Sequence, residues 1–134
     1  MTEAEAPTVR LVLDTTAVAA WMRGSVSVGE ILIEIEAENG AVIIPLPCLI
    51  EAAHATALIE RERLELLLGH RATFLLPDDP ADWLALTQLR TLTGRADTAS
   101  AAMFALDCDV DVMTRDARWY SSVKGGRLAL EIED

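Results

Sequence analysis

The feature that most constrains this chain is an aliphatic run that ends in an acid. Val9-Arg10-Leu11-Val12-Leu13 stops at Asp14, and Thr15-Thr16 then offers a hydroxyl suited to start a helix. Such a run is a buried strand passing directly into a helix. The alternation then repeats. Gly29 to Asn39 reads as an amphipathic helix with Ile31, Leu32 and Ile35 inward and Glu30, Glu34 and Glu38 outward, and Ala41–Pro45 follows as a buried strand. A helix from Pro47 to about Leu58 carries Glu51 and His54, and a second helix spans Glu60 to Leu68. Arg71–Leu76 is the next strand, and a helix from Asp79-Pro80 to about Thr93 has Trp83, Leu86 and Leu89 on one face. An alanine-rich helix over Asp97–Leu106 leads to a strand at Val110–Thr114, which stops just before Asp116. A helical turn through Trp119–Val123 and a last strand, Arg127–Ile132, finish the pattern.

Strands that alternate with helices predict an α/β fold, a three-layer α/β/α sandwich around a mostly parallel sheet of four to five strands. At 134 residues the chain has the length of a single domain. Ligands of such sheets bind beyond the carboxyl ends of the strands. Asp14 and Asp116 each follow a strand, so both are expected in the same crevice.

Charge limits what that crevice can do. The net charge is −11, from 22 acids against ten arginines and a single lysine, Lys124. Nucleic-acid binding through a general basic surface is thereby excluded, because phosphate contacts need a surplus of Lys and Arg. A divalent cation held by the acids reverses the sign locally. Hard cations such as Mg2+ and Mn2+ take carboxylate oxygens and fill the remaining positions with water. Asp97 heads a stripe with Ala101, Phe104 and Cys108 at helical spacing, and an acid on an apolar stripe calls for a compensating charge. The acidic start, Met1 to Pro7, lacks the basic n-region of a secretory leader, and no apolar run is long enough to span a bilayer, so a cytoplasmic protein without a membrane partner is expected. Cys48 and Cys108 support neither a disulfide framework nor a metal knuckle and read as buried thiols.

Four segments carry a family resemblance. Leu11-Val12-Leu13-Asp14-Thr15-Thr16-Ala17, Leu49-Ile50-Glu51-Ala52-Ala53, Ala96-Asp97-Thr98-Ala99-Ser100-Ala101-Ala102 and Val112-Met113-Thr114-Arg115-Asp116 resemble, in order, the four acidic motifs of the PIN-domain family. In size the chain is similar to the VapC-like toxins of bacterial toxin–antitoxin pairs. The resemblance implies one PIN-like domain over 1–134 and a Mg2+- or Mn2+-dependent endoribonuclease. It further implies an RNA substrate, a small antitoxin protein as partner and a homodimer. Asp14, Asp97, Asp116 and Glu51 are then the catalytic, metal-holding acids. Thr16 and Thr114 orient those carboxylates. Arg23, Arg95, Arg115 and Arg118 are candidates for RNA-phosphate contacts, with surface ion pairing as their other reading.

Other readings compete. Asp14 and Asp116 taken singly are turn or cap residues, Asp97 is favoured by the helix dipole, and Glu51 is a solvated helix position. Glu51 and His54 form one E-x-x-H pair, where a di-iron bundle needs two. Asp78 and Asp79 read as helix-start residues, and Asp107, Asp109 and Asp111 as solvated loop acids. Trp21, Trp83 and Trp119 read as core or interface residues. A phosphatase using Asp14 as nucleophile needs a second Asp where Thr16 stands. The main alternative is a catalytically inactive PIN-like module that binds RNA or a protein partner.

Overall fold

The computed structural model describes residues 6–134; the acidic start from Met1 to Glu5 lies outside them. Five strands are present, β1 (Thr8–Leu13), β2 (Gly40–Pro45), β3 (Thr73–Leu76), β4 (Asp111–Thr114) and β5 (Ala129–Glu131). Six α-helices accompany them, α1 (Thr15–Met22), α2 (Val26–Ala37), α3 (Leu46–Ala55), α4 (Arg61–Gly69), α5 (Trp83–Thr93) and α6 (Ala96–Cys108). The sheet order is β3-β2-β1-β4-β5, and every pairing is parallel. The strand count is five and the sheet is wholly parallel, within the expected fold class.

Alternation along β1 accounts for the layers. Leu11 and Leu13 pack on one face with Val42, Ile44 and Met113 against α1, α2 and α4. Val12 packs on the other with Ile43 and Val112 against α6 and Tyr120. Both faces of the central strands are covered, which is why these strands read as continuous apolar runs. Each such side chain contributes roughly 1.5–3 kcal/mol on leaving water. The alanine face of α6 (Ala99, Ala101, Ala102 and Ala105, all buried) allows the helix to approach the sheet closely.

Several local expectations shift. Helix α1 is opened by the carboxylate of Asp14, which accepts from the amides of Thr16 and Ala17, rather than by a threonine hydroxyl. Helix α2 starts earlier than Gly29, because Ser25 caps it. Asp134 adds to that end: its carboxylate accepts from the amides of Val26 and Ser27 and from the Ser25 hydroxyl. Trp83 is 65% exposed, so its core assignment fails. Positions three apart drift by about 60° per step around a helix, which turns Trp83 away from buried Leu89. Asp79 does cap the short 3₁₀ turn at Pro80–Asp82, but Asp78 instead accepts the Ser100 hydroxyl at 2.8 and 2.9 Å. No helix among the described residues is long and apolar enough to cross a membrane.

Candidate functional site

The chain runs β1, β2, β3 outward in one direction and then returns to set β4 on the other side of β1. The boundary between β1 and β4 is therefore the switch point of the sheet, where adjacent connections leave in opposite directions and open a crevice. Asp14 follows β1 and Asp116 follows β4 at this boundary.

Asp14 is fully buried. Its Oδ1 accepts from the Thr16 amide at 2.9 Å, the Thr16 hydroxyl at 2.7 Å and the Ala17 amide at 3.1 Å. Its Oδ2 accepts from the Tyr120 hydroxyl at 2.6 Å. Burial pushes this carboxyl above its ordinary range, and the donors from Tyr120, Thr114, Thr16 and Ala17 only partly offset that. Burial and the neighbouring carboxylate push the Tyr120 phenol up in turn, so it remains a protonated donor.

Asp97 lies in the first turn of α6 and is 3% exposed. Its Oδ2 accepts the Thr15 hydroxyl at 2.5 Å, and Arg95 grips both oxygens, Nε at 2.8 Å from Oδ1 and a terminal nitrogen at 3.2 Å from Oδ2. Burial alone raises this carboxyl, but Arg95 and Thr15 outweigh it and hold Asp97 below the usual range. The Arg95 guanidinium also lies over the Trp119 ring, 5.3 Å from its centre. Consecutive residues Thr15 and Thr16 thus tie Asp97 and Asp14 to one turn of chain. Buried Cys48, whose thiol donates to the Asp97 carbonyl oxygen at 3.2 Å, fills the space near both acids, and burial with their charge pushes that thiol up.

Asp116 is joined to the same turn through hydroxyls. Thr16 Oγ1 lies 3.2 Å from Thr114 Oγ1, which accepts the Asp116 amide at 3.0 Å. Its carboxylate, however, accepts from Arg118 at 2.9 and 3.0 Å, and that guanidinium holds it below its ordinary range. Glu51 is exposed on α3, where it lines a cavity of about 420 Å³ together with Asp97, Arg95, Arg90, Leu46 and Ile50.

The four expected acids are therefore linked but not gathered. Asp97 and Glu51 share a cavity, Asp14 is fully buried and tied to Asp97 through Thr16 and Thr15, and Asp116 faces Arg118. Among the described residues no group of three or more His, Cys, Asp or Glu side chains is close enough to hold one ion. A Mg2+ ion commonly takes one or two carboxylates and water, so the oxygen donors of Asp97 and Glu51 suit it chemically. Thr16 donates its hydroxyl to Asp14, and the Thr114 hydroxyl oxygen accepts the Asp116 amide. Of the arginines, Arg95 and Arg118 pair with site acids. Arg115 touches the site through its backbone amide, which donates to Thr16 Oγ1. Arg23 caps the far end of α1 and lines a separate pocket with Ile59 and Glu60. Sequence reasoning missed Tyr120, Thr15 and Arg90. The first lies 106 positions from its partner, and no spacing rule reaches that far.

Among solved structures, the chain is similar to the crystal structure of PAE2754 from Pyrobaculum aerophilum, with a TM-score of 0.68 and 18% identity over 96% of this chain and 93% of that one. At that identity the likeness bears on the fold. No family model matches the sequence. No curated protein matches it either.

Proposed function

We propose that this protein is a Mg2+- or Mn2+-dependent endoribonuclease of the PIN type, the toxin of a toxin–antitoxin pair restrained by a small antitoxin protein. The observation that carries the reading is the linkage of buried Asp14 and Asp97 and of the Asp116 backbone through Thr15, Thr16 and Thr114 at the switch point of the sheet, with Asp97 opening on a cavity beside Glu51. Neutral hydroxyls and amides alone support Asp14, the kind of hydrogen bonding that orients a carboxylate serving a cation.

In this reading Asp97 and Glu51 hold the cation, and Asp14 and Asp116 complete the acidic set. A bound Mg2+ or Mn2+ supplies an acidified water and a positive charge against the phosphate oxygens. Glu51, exposed at the cavity wall, would serve as the general base for the attacking water through its carboxylate oxygen that does not face the cation. Thr16 fixes the orientation of Asp14, and Tyr120 holds the second oxygen. Arg95, stacked on Trp119, pairs with Asp97 and would be released toward a phosphate if Asp97 held the cation.

The test is cleavage of single-stranded RNA by purified Asp14→Asn and Asp116→Asn chains with Mn2+. Both are expected to be inactive, and undiminished cleavage by either refutes the assignment. One observation favours a second reading, an inactive module that binds RNA or protein: the guanidinium groups of Arg95 and Arg118 already satisfy two of the acids. Calorimetric titration with Mn2+ separates the two, since carboxylate-dependent binding belongs only to the nuclease.

A further inference from the structure

The cavity beside Asp97 does not end at Arg95. Pro47, Arg90 and Ala96 line it and equally line a second cavity of about 290 Å³, which continues between the start of α3 and the α5–α6 pair to Leu86, Thr87 and Ala99. The two form one groove, with Arg90 at the seam. Arg90 projects from the last turn of α5, is exposed, and makes no ion pair among the described residues. In a chain with twice as many acids as basic residues, an arginine left without a counter-ion inside a groove marks a place for an anion from outside. Arg95 stands farther along the same wall, held in place by Trp119. The acids of the groove are already committed: Asp97 to Arg95 and Thr15, Asp78 to Ser100. Glu51 alone faces the groove uncommitted, at the end where the proposed chemistry occurs.

We propose that this groove binds the phosphate backbone of a single-stranded RNA, with Arg90 contacting a phosphate displaced along the strand from the one at Asp97 and Glu51. The proposal rests on the ribonuclease reading and names the path of its substrate. Arg90 offers the forked donors that suit phosphate oxygens, and Arg95 stands on the same wall with its own fork held by Asp97. The exposed Leu46 and Ile50 side chains give the bases an apolar surface on the other wall. The groove is narrow enough that unstacked bases of a single strand, rather than paired ones, can turn their faces to Leu46 and Ile50. Arg90 is a binding residue here, not a catalytic one.

The test uses the full chain carrying Asp14→Asn, so that RNA is not consumed, with fluorescence anisotropy of a short labelled single-stranded RNA in MgCl2. Adding Arg90→Ala is expected to weaken binding about tenfold and to reduce the salt slope by about 0.7, the share of one phosphate contact. Arg90→Lys is expected to keep most of the affinity, and Arg127→Ala, which removes an equal charge elsewhere, to change nothing. Circular dichroism melts establish that each variant is folded. Binding unchanged by Arg90→Ala overturns the proposal, as does equal loss with Arg127→Ala. Absence of RNA binding by the parent chain, or its displacement by an acidic peptide as effectively as by unlabelled RNA, also overturns it. Failure of the ribonuclease reading shows separately, as Mn2+-dependent cleavage that survives Asp14→Asn; loss of the Arg90 effect with carboxylate-dependent cleavage intact removes only the groove.

Discussion

Replacing Tyr120 with phenylalanine removes a single oxygen from the interior and leaves the ring that fills the core. That oxygen donates to Asp14 Oδ2 at 2.6 Å, both residues are fully buried, and the donors from Thr16 and Ala17 all meet Oδ1. Tyr120→Phe therefore strips Oδ2 of its 2.6 Å donor, the foremost hydrogen bond to this carboxylate, and opens no cavity larger than the hydroxyl. Buried hydrogen bonds to a charged group are worth about 1.5–3 kcal/mol, so a loss of about 2 kcal/mol is expected at neutral pH. For a chain of this length that lowers Tm by about 7 °C. The sign of the pH dependence follows from Asp14. Its carboxyl is raised in the fold above its ordinary 3.8, so ionised Asp14 costs stability above the folded-state value and the cost disappears as pH falls below 3.8. Tyr120 lowers that cost, and losing it widens the penalty on the high-pH side only. In acid the neutral carboxyl loses an ordinary hydrogen bond, about 1 kcal/mol. Thermal melts in EDTA across this range measure the difference. Equal losses at neutral and acid pH, or a loss below about 0.5 kcal/mol throughout, would refute an ionised Asp14 supported by the phenol.

Three further outcomes are expected. Arg95→Gln frees Asp97 from its bidentate partner, a half-exposed pair worth about 1 kcal/mol, so Mn2+ affinity measured by calorimetry should rise about fivefold; unchanged affinity means that Arg95 and the cation do not compete. Asp134→Asn weakens the α2 cap, and because that carboxyl is held down to about 2, the stability it gives is present above 3.8 and lost as pH falls through about 2. Urea melts should show the variant less stable at neutral pH and equal to the parent near the acid limit. Gly40→Ala puts a Cβ 2.7 Å from Ile35 Cγ2 and 3.0 Å from the Ile35 carbonyl oxygen, so it should cost about 2 kcal/mol by urea denaturation, and a neutral result means α2 can shift off β2.

The layered α/β fold was legible in the sequence because its signal is local. Leu11–Leu13 and Ala41–Pro45 are apolar throughout, as a sheet covered on both faces requires, and each leads into a helix. The positions of Asp14 and Asp116 at the ends of neighbouring strands follow from the same pattern. Tertiary structure decided how the carboxylates are used. Whether Asp97 meets Arg95 and Thr15, whether Asp116 turns to Arg118, and whether a phenol 106 residues away reaches Asp14 depend on side-chain directions fixed only when helices pack. Trp83 makes the same point, since helical spacing suggested a buried face that the packing of α5 left in water. The seam at Arg90 exists only because α3, α5 and α6 meet there, so an arginine that is one of ten in the sequence becomes the unpaired cation of a groove in the fold.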